Sequence, residues 1–341
     1  MEVTGVLSLL VMVPMIVIGP ISNFVTAHYF LFKSKQKSVY FLFLVHLAFV
    51  DMIACILIPI LFIPQVIMDG QWFFGDLACK YLFHIPITLT AYNSCWILFG
   101  IIVDRYRAIV HPLAARFTRK KIHAYCALVW ICSFAQVIPQ HMTDRVEIIN
   151  NKTLCAETEH DSLSRETELA LVLVNSLAQC VVPVSLTILF FYRIHKSLHT
   201  STLISGTMKR RFYRNRRVLR LVRRTFLIYL STLTLSNIGT IIRTVIRLYH
   251  LDVWEEYLWI QDVTSFMVHL IFLNCVINCF IYAGTIRTYR TYISRLFPFL
   301  NLKKRLRMRK KSYRLSRLDS FVVQGILMSH NLFDDSDGEL D

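Results

Sequence analysis

Charged residues are scarce in this sequence, and the usual signatures of zinc proteins and hydrolytic enzymes are missing. Asp, Glu, Lys and Arg make up 18% of the 341 residues, against about 25% in soluble domains. The nine cysteines include no CxxC pair, so they form no zinc pattern. The HExxH and GxSxG motifs are also absent, so the sequence gives no indication of an enzyme.

Long apolar runs are what the sequence has instead. Hydrophobic residues make up 55% of the chain, and the mean hydropathy is +0.49. A membrane-spanning helix needs about 20 apolar residues, and it must be a helix because lipid leaves no partner for open backbone groups. The sequence therefore predicts an all-α membrane protein, a seven-transmembrane helix bundle. The predicted spans are 6–32, 39–68, 80–103, 122–142, 168–192, 225–250 and 258–284.

The connectors between these runs alternate in charge, within a net charge of +16. Basic residues fill 33–37, 104–121, 193–224 and the chain after 286, whereas acidic residues mark 69–79, 143–168 and 251–262. Because basic loops stay in the cytoplasm, the N-terminus is expected outside and the C-terminus inside, in a multi-pass protein of the plasma membrane. The positive charge then faces anionic inner-leaflet lipid, and no nucleic-acid partner is needed to explain it.

The spans and their flanks predict four regions. A short extracellular N-terminus at 1–5 precedes the bundle at 6–284. Residues 285–297 are able to form an amphipathic helix that lies along the inner interface as a short eighth helix. The remainder, 298–341, is a basic cytoplasmic tail with an acidic end.

Several separated motifs occur in order along these runs. They are Asn23 in GPISNFV, Asp51 in HLAFVD, WFFGDLAC at 72–79, DRY at 104–106 with HPL at 111–113, Trp130, Pro183, and NCVINCFIY at 274–282. With these motifs the chain resembles the rhodopsin-like (class A) G-protein-coupled receptors over roughly residues 15–290. The resemblance implies a receptor that binds an extracellular small-molecule or peptide ligand and activates a heterotrimeric G protein. Arrestin is a further implied partner of the tail, as an alternative to inner-leaflet lipid.

An arginine at the mouth of a helix bundle needs an acidic partner, because a bare charge is costly in a low-dielectric setting. Asp104 adjoins Arg105 in the DRY triplet. The resemblance implies that Asp104, Arg105 and Tyr106 form the G-protein-coupling site, where activation frees the arginine. The alternative is that these charges only mark the membrane boundary, which is the interpretation favoured for Arg107.

Asp51 lies near the middle of its span, where an ionisable group is a candidate functional site. The resemblance implies an allosteric sodium ion as the one non-protein component, with no other cofactor. Oxygen donors suit this hard cation. The alternatives are a water-filled network and a protonated Asp51. The implied sodium ligands are Asp51, Ser94, Asn274 and Asn278, and the implied switch residues are Asn23, Asn278 and Tyr282.

The outer half of the bundle is where the resemblance places the ligand. Helical spacing puts the helix-three candidates on one face and pairs those of helices five and six at i, i+4. Paired guanidinium groups favour a carboxylate or phosphate ligand, and the alternative is that they snorkel outward or pair with an acidic outer loop. No lysine occurs in 258–284, which excludes a retinal-binding opsin. The candidates are His84, Ile87, Thr88, Tyr92, Asn175, Gln179, Arg243 and Arg247.

Cys79 and Cys155 flank the apolar runs on the side expected to be outside. An oxidising compartment favours a disulfide between them, which would pin the second outer loop over the pocket. The sequon NKT at 151–153 makes Asn151 a candidate glycosylation site on the same loop.

Helices six and seven depart from the family pattern. LIYLSTLTLSNIGTII stands where C-W-x-P is expected, and Cys279 stands in place of a proline. The basic start of helix six offers no acid to Arg105, so the sequence predicts raised basal signalling. These departures keep open a receptor-like scaffold that does not couple. A seven-span transporter is less favoured, because no repeat relates the two halves of the chain.

Overall fold

The computed structural model describes most of the chain as helices. The described residues are 3–34, 39–68, 70–83, 85–111, 113–140, 144–149, 152–157, 165–200, 206–249, 263, 266–267 and 269–298. Of the predicted site residues, His84 and Asn151 lie outside this set, and for Arg247 only the backbone is described. Phe299–Asp341, which is the predicted tail apart from Pro298, also lies outside the described residues.

Nine helices lie in the described part of the chain, and the eight longer ones are numbered here in chain order. Helix one is Val3–His28 with a π turn at Tyr29–Lys33, helix two is Tyr40–Ile67, helix three is Ile85–Val110 and helix four is Arg119–Gln140. Helix five is Arg165–Ser176, a π turn at Leu177–Val181, and Val182–Thr200. Helix six is Gly206–Leu248, helix seven is Leu270–Phe272 and Leu273–Thr285, and helix eight is Arg287–Leu296. A short helix, Gly75–Leu82, precedes helix three.

Length and composition agree with a membrane-spanning bundle. Among the described residues, five helical segments are long and apolar enough to cross a bilayer, and a sixth passes when helix seven is counted together with helix eight. Helix four is not one of these segments. It begins with three basic residues, Arg119, Lys120 and Lys121, which raise the charge of its described part. The predicted fold class, an all-α transmembrane bundle, is confirmed, and the chain is a multi-pass membrane protein.

Small residues allow the helices to approach each other closely. A methyl group built on Gly19 in helix one would lie 2.3 Å from Cys55 Sγ in helix two. One built on Gly100 in helix three would lie 2.8 Å from the rings of Phe43 and Tyr125. Because lipid tails are as apolar as leucine, membrane helices associate through such tight packing and through interhelical hydrogen bonds rather than through the hydrophobic effect.

Two features of the connectors differ from the prediction. Helix six begins at Gly206 rather than near 225, so the basic segment assigned to a connector continues the helix. Arginine and lysine are good helix formers, and a helix does not have to end at the membrane boundary. The acidic loop contains an unpredicted antiparallel hairpin of β1 (Asp144–Ile149) and β2 (Lys152–Glu157).

The chain divides into two compact units. The first runs from Met1 to Ile286 and the second from Arg287 to Asp341. Helix eight belongs to the second unit and is amphipathic, because Tyr289 is buried whereas Arg287 and Arg290 are exposed. This pattern fits a helix that lies in a membrane interface.

Candidate functional site

The described bundle carries a buried ion pair at one end of helix three. Arg105 Nε donates to Asp104 Oδ2 at 3.0 Å, and Nη2 donates to the same oxygen. The guanidinium carbon of Arg105 also lies 4.4 Å from the ring centre of Tyr40 in helix two. Both charged side chains are less than a tenth exposed. The pairing of Arg105 with its neighbouring acid is therefore present in the structure, and the name Arg105 end is used below for this side of the bundle.

Tyr106 and Arg107 hold the loop that follows helix three. The Tyr106 hydroxyl lies 3.2 Å from His111 Nε2, and its ring packs edge-on against Phe190 of helix five at 4.8 Å. Arg107 Nη2 donates to the Ala115 carbonyl at 2.8 Å. Arg107 thus does more than mark the membrane boundary, because it binds the backbone of the loop.

Asp51 is 2% exposed and is hydrogen-bonded directly by other helices. Asn278 Nδ2 donates to Asp51 Oδ2 at 2.7 Å, and Ser94 Oγ donates to Oδ1 at 3.5 Å. Asn274 turns elsewhere: its amide donates to Thr232 Oγ1 in helix six and to the Ile271 carbonyl. Two of the three predicted partners therefore contact Asp51, and the third ties helix seven to helix six.

This donor set fits a sodium ion only in part. Asp51 and Ser94 present oxygens, which a hard cation prefers. Asn278 presents an N–H to the carboxylate, and an N–H cannot coordinate a cation. Sodium binding would require Asn278 to turn its amide oxygen inward. The contacts as they stand form a direct hydrogen-bond network between helices two, three and seven.

The predicted switch residues connect helix one to helix seven. Asn23 Nδ2 donates to the Gly19 carbonyl of its own helix at 3.0 Å and to the Cys275 carbonyl of helix seven at 2.8 Å. Asn278 lies one turn after Cys275. Tyr282 is buried and packs edge-on against Phe30 of helix one, with 5.9 Å between the ring centres. Cys275, Asn278 and Tyr282 therefore follow one buried face of helix seven, and Asn23 meets that face from helix one.

The predicted ligand face of helix three is packed against helix five. Ile87 and Tyr92 are buried, and Gln179 Nε2 donates to the Thr88 carbonyl at 3.4 Å. Gln179 lies in the π turn of helix five, a local widening that is frequent at functional sites. In the same turn, the Ala178 carbonyl accepts the indole N–H of Trp96 at 3.1 Å. The π turn thus provides two polar contacts between these helices.

Other predicted ligand residues have partners that the sequence did not indicate. Asn175 Oδ1 accepts a hydrogen bond from Gln136 Nε2 of helix four at 2.6 Å. Arg243 is exposed on helix six. His269 directly precedes helix seven, and its Nδ1 lies 3.1 Å from Ser8 Oγ of helix one. Polar residues inside apolar runs are the signal that could have pointed to Gln136, Ser8 and His269.

The predicted disulfide between Cys79 and Cys155 is present, with 5.5 Å between the Cα atoms. Cys79 belongs to the short helix before helix three, and Cys155 pairs with Val146 in the hairpin. The Trp72 backbone N–H donates to the Thr153 carbonyl at 2.7 Å, which adds a second tie between the short-helix segment and the hairpin. The name disulfide end is used below for this side of the bundle.

Comparison with known proteins agrees with this geometry. The family description "7 transmembrane receptor (rhodopsin family)" matches residues 22–282. The chain is 25% identical over 279 residues to the type-1 angiotensin II receptor B of Xenopus laevis, which covers 80% of this chain and 73% of that receptor. It is 28% identical over 140 residues to the neuromedin-K receptor of Cavia porcellus, which covers 41% of this chain and 31% of that receptor. Since the family match extends over most of the sequence, the chain belongs to the rhodopsin family of 7 transmembrane receptors.

Proposed function

We propose that this protein is a plasma-membrane receptor that binds an extracellular ligand at its disulfide end and activates a heterotrimeric G protein at its Arg105 end. The buried Asp104–Arg105 ion pair carries the proposal. It holds the Arg105 side chain at the mouth of the bundle, where an incoming protein would be able to compete with Asp104 for the guanidinium group. The disulfide at the other side orders a hairpin, as expected of a surface in an oxidising compartment.

The proposed orientation follows from the charges of the connectors. The disulfide end carries the acidic loops, whereas the Arg105 end carries the basic starts of helices four and six. Basic loops favour the cytoplasm, so the N-terminus lies outside. The polybasic tail would then lie near anionic inner-leaflet lipid, where a near-surface Lys or Arg contributes about 1 kcal/mol.

For the ligand, we propose a chemical class rather than a particular molecule. Relatives of this chain are named for angiotensin II and neuromedin K. Arg243 is exposed on helix six, and a guanidinium favours a carboxylate or phosphate group on the ligand. We therefore propose a small-molecule or peptide ligand with an anionic group. Its binding would shift the population of states toward those in which Arg105 is free.

The coupling proposal is tested without a known ligand. Asp104→Asn removes the charge that holds Arg105, so it is expected to raise ligand-independent nucleotide exchange above that of the wild type. Arg105→Ala should abolish that signal, whereas Arg119→Ala, an exposed arginine at the same end, should not. The measurement is a panel of G-protein dissociation sensors in cells matched for surface expression.

A receptor-like scaffold without coupling is the second candidate. It is favoured by helix six, which runs from Gly206 to Leu248 without proline. If Asp104→Asn raises no sensor above mock-transfected cells at equal surface level, the scaffold is the better description. A rise that survives Arg105→Ala would also contradict the assigned role of Arg105.

A further inference from the structure

Two histidines face each other between helices two and four. His46 Nε2 lies 3.0 Å from His123 Nδ1, and the two rings meet edge-on, with 66° between their planes. His46 is half-buried and His123 is exposed. At 1.5 Å per residue, His46 lies about 9 Å along helix two from Tyr40, whose ring contacts Arg105. The pair therefore lies near the Arg105 end, and one of its rings is accessible from outside the bundle.

The two ring nitrogens that face each other are able to bind a metal ion. In the hydrogen bond one nitrogen donates and the other accepts, and the tautomer of each ring decides which does so. When both rings are neutral, moving the donor's proton to the second nitrogen of its ring leaves two facing lone pairs, with no net release of a proton. Neutral imidazole is the commonest metal ligand in proteins, and it suits Zn²⁺, Cu²⁺ and Ni²⁺.

The distance between these nitrogens is close to the distance that a zinc site requires. Zn–N bonds are about 2.0–2.1 Å long, so two nitrogens bound to one tetrahedral ion are about 3.3–3.4 Å apart. The observed 3.0 Å would have to widen by only about 0.3–0.4 Å. Small rotations of the two side chains provide such a change without a movement of either helix.

Packing beside the pair holds helices two and four at this separation. Phe43 of helix two and Tyr125 of helix four meet edge-on, with 5.8 Å between the ring centres. Phe43 lies one turn before His46, and Tyr125 lies two residues after His123. Because both imidazoles project from packed helices rather than from loops, the pair is preorganised for an ion that bridges the helices.

The charges around the pair favour metals that bind nitrogen over those that bind oxygen. Arg119, Lys120 and Lys121 form the first turn of helix four, where the positive end of the helix dipole also lies. These charges repel every cation, and Mg²⁺ and Ca²⁺ prefer oxygen ligands. Zn²⁺ or Cu²⁺ gains two coordinate bonds that offset the repulsion. No third His, Cys, Asp or Glu joins the pair within the described part of the chain, so water would fill the remaining positions.

We propose that His46 and His123 form a binding site for a divalent transition-metal ion of the imidazole-preferring class, such as Zn²⁺, which bridges helices two and four. The bound ion replaces one hydrogen bond by two metal–nitrogen bonds and so stabilises the contact between these helices. Binding of the ion requires neither a signalling ligand nor a G protein, so failure of the site would leave the proposed receptor function untouched.

The first measurement is thermal unfolding of the full chain in phosphatidylcholine nanodiscs with ZnCl₂, MgCl₂ or EDTA. A ligand at about 100 times its Kd shifts the folding equilibrium about 100-fold, which is about 2.7 kcal/mol. At about 2–4 °C per kcal/mol, this is a rise in Tm of about 5–11 °C. Saturating ZnCl₂ should raise the Tm of the wild type by about this amount over EDTA, whereas MgCl₂ should not. An unchanged Tm in ZnCl₂ would overturn the site.

Variants assign the zinc response to the pair, because the chain has 12 histidines. His46→Gln and His123→Gln should each abolish the rise, since one imidazole cannot form the bridge. His195→Gln, which replaces an exposed histidine of helix five, is the matched control and should keep it. If the pair were only a hydrogen bond, its variants would lower the Tm in EDTA and keep the full zinc response, and that result would overturn the site. His123 is exposed, so His123→Gln decides the question even if His46→Gln does not fold.

The second measurement counts the imidazoles on the metal directly. Pulsed electron paramagnetic resonance of the wild type with one equivalent of Cu²⁺ should show nitrogen modulation from two imidazole rings. His123→Gln should lose the modulation from one of them, and His195→Gln should retain both. Modulation from a single ring in the wild type, or an unchanged spectrum in His123→Gln, would contradict the bridge between helices two and four.

Discussion

Replacement of Gly19 by alanine tests the close contact between helices one and two. The new Cβ would lie 2.3 Å from Cys55 Sγ and 2.7 Å from Cys55 Cβ. Rotation of the Cys55 side chain would remove the sulfur contact but not the second, because Cβ is fixed to the backbone. Helix one must therefore move away from helix two. This movement also disturbs the carbonyl of Gly19, which accepts a hydrogen bond from Asn23.

The expected loss of Tm is measured against a second glycine in a helix, Gly284. Overpacking of a tight interior costs about 1–3 kcal/mol, whereas alanine gains about 1 kcal/mol over glycine in a helix interior. Gly284 in helix seven has nothing within 4 Å of a built Cβ. Gly284→Ala therefore carries the gain without the clash. At about 2–4 °C per kcal/mol, Gly19→Ala should melt about 2–12 °C below Gly284→Ala.

The assay is thermal unfolding followed by tryptophan fluorescence in lipid nanodiscs. Cys55→Gly removes both clashing atoms, so in that background Gly19→Ala should lower the Tm by less than it does in the wild type. Equal Tm values for Gly19→Ala and Gly284→Ala would refute the close approach of helices one and two. An equal loss of Tm in the wild-type and Cys55→Gly backgrounds would show that the loss has another cause.

Cys79→Ser and Cys155→Ser each break the same cross-link, which spans 76 residues, and each should lower the free energy of unfolding by up to about 4 kcal/mol. The double variant should therefore have the same Tm as the single variants, and additive losses of Tm would contradict the disulfide. Gln136→Ala and Asn175→Ala should show a coupling of about 1 kcal/mol in a double-mutant cycle of thermal unfolding, since they share one hydrogen bond; simple additivity would contradict that contact. If the predicted sodium ion binds, replacing NaCl by choline chloride should lower the Tm of the wild type but not of Asp51→Ala, and equal shifts would argue against it.

The features that could be predicted from the sequence depend on residues that are adjacent or regularly spaced in the chain. The apolar runs predict helices because the bilayer accepts few other backbone structures. Asp104 adjoins Arg105, so their pairing needs no knowledge of the rest of the fold. The Cys79–Cys155 pairing followed once the topology placed both residues on one side of the membrane.

Other contacts depend on how each helix is rotated and which neighbour it meets. Spacing places Asn274 and Asn278 on one face of helix seven, yet only Asn278 contacts Asp51, because Asn274 lies one turn away and faces helix six. The hydrogen bond between Gln136 and Asn175 is similarly invisible in either helix alone. Periodicity indicates which side of a helix is buried, but not the partner on that side.

The sequence by itself determined the membrane class, the approximate spans and the family, because hydrophobic length and short motifs are properties of contiguous residues. Only the tertiary structure decided that helix six continues through its basic start and that Tyr229 meets Ala91 of helix three. Such contacts depend on the rotation and depth of two helices that are far apart in the chain, and those are set by packing of the whole bundle.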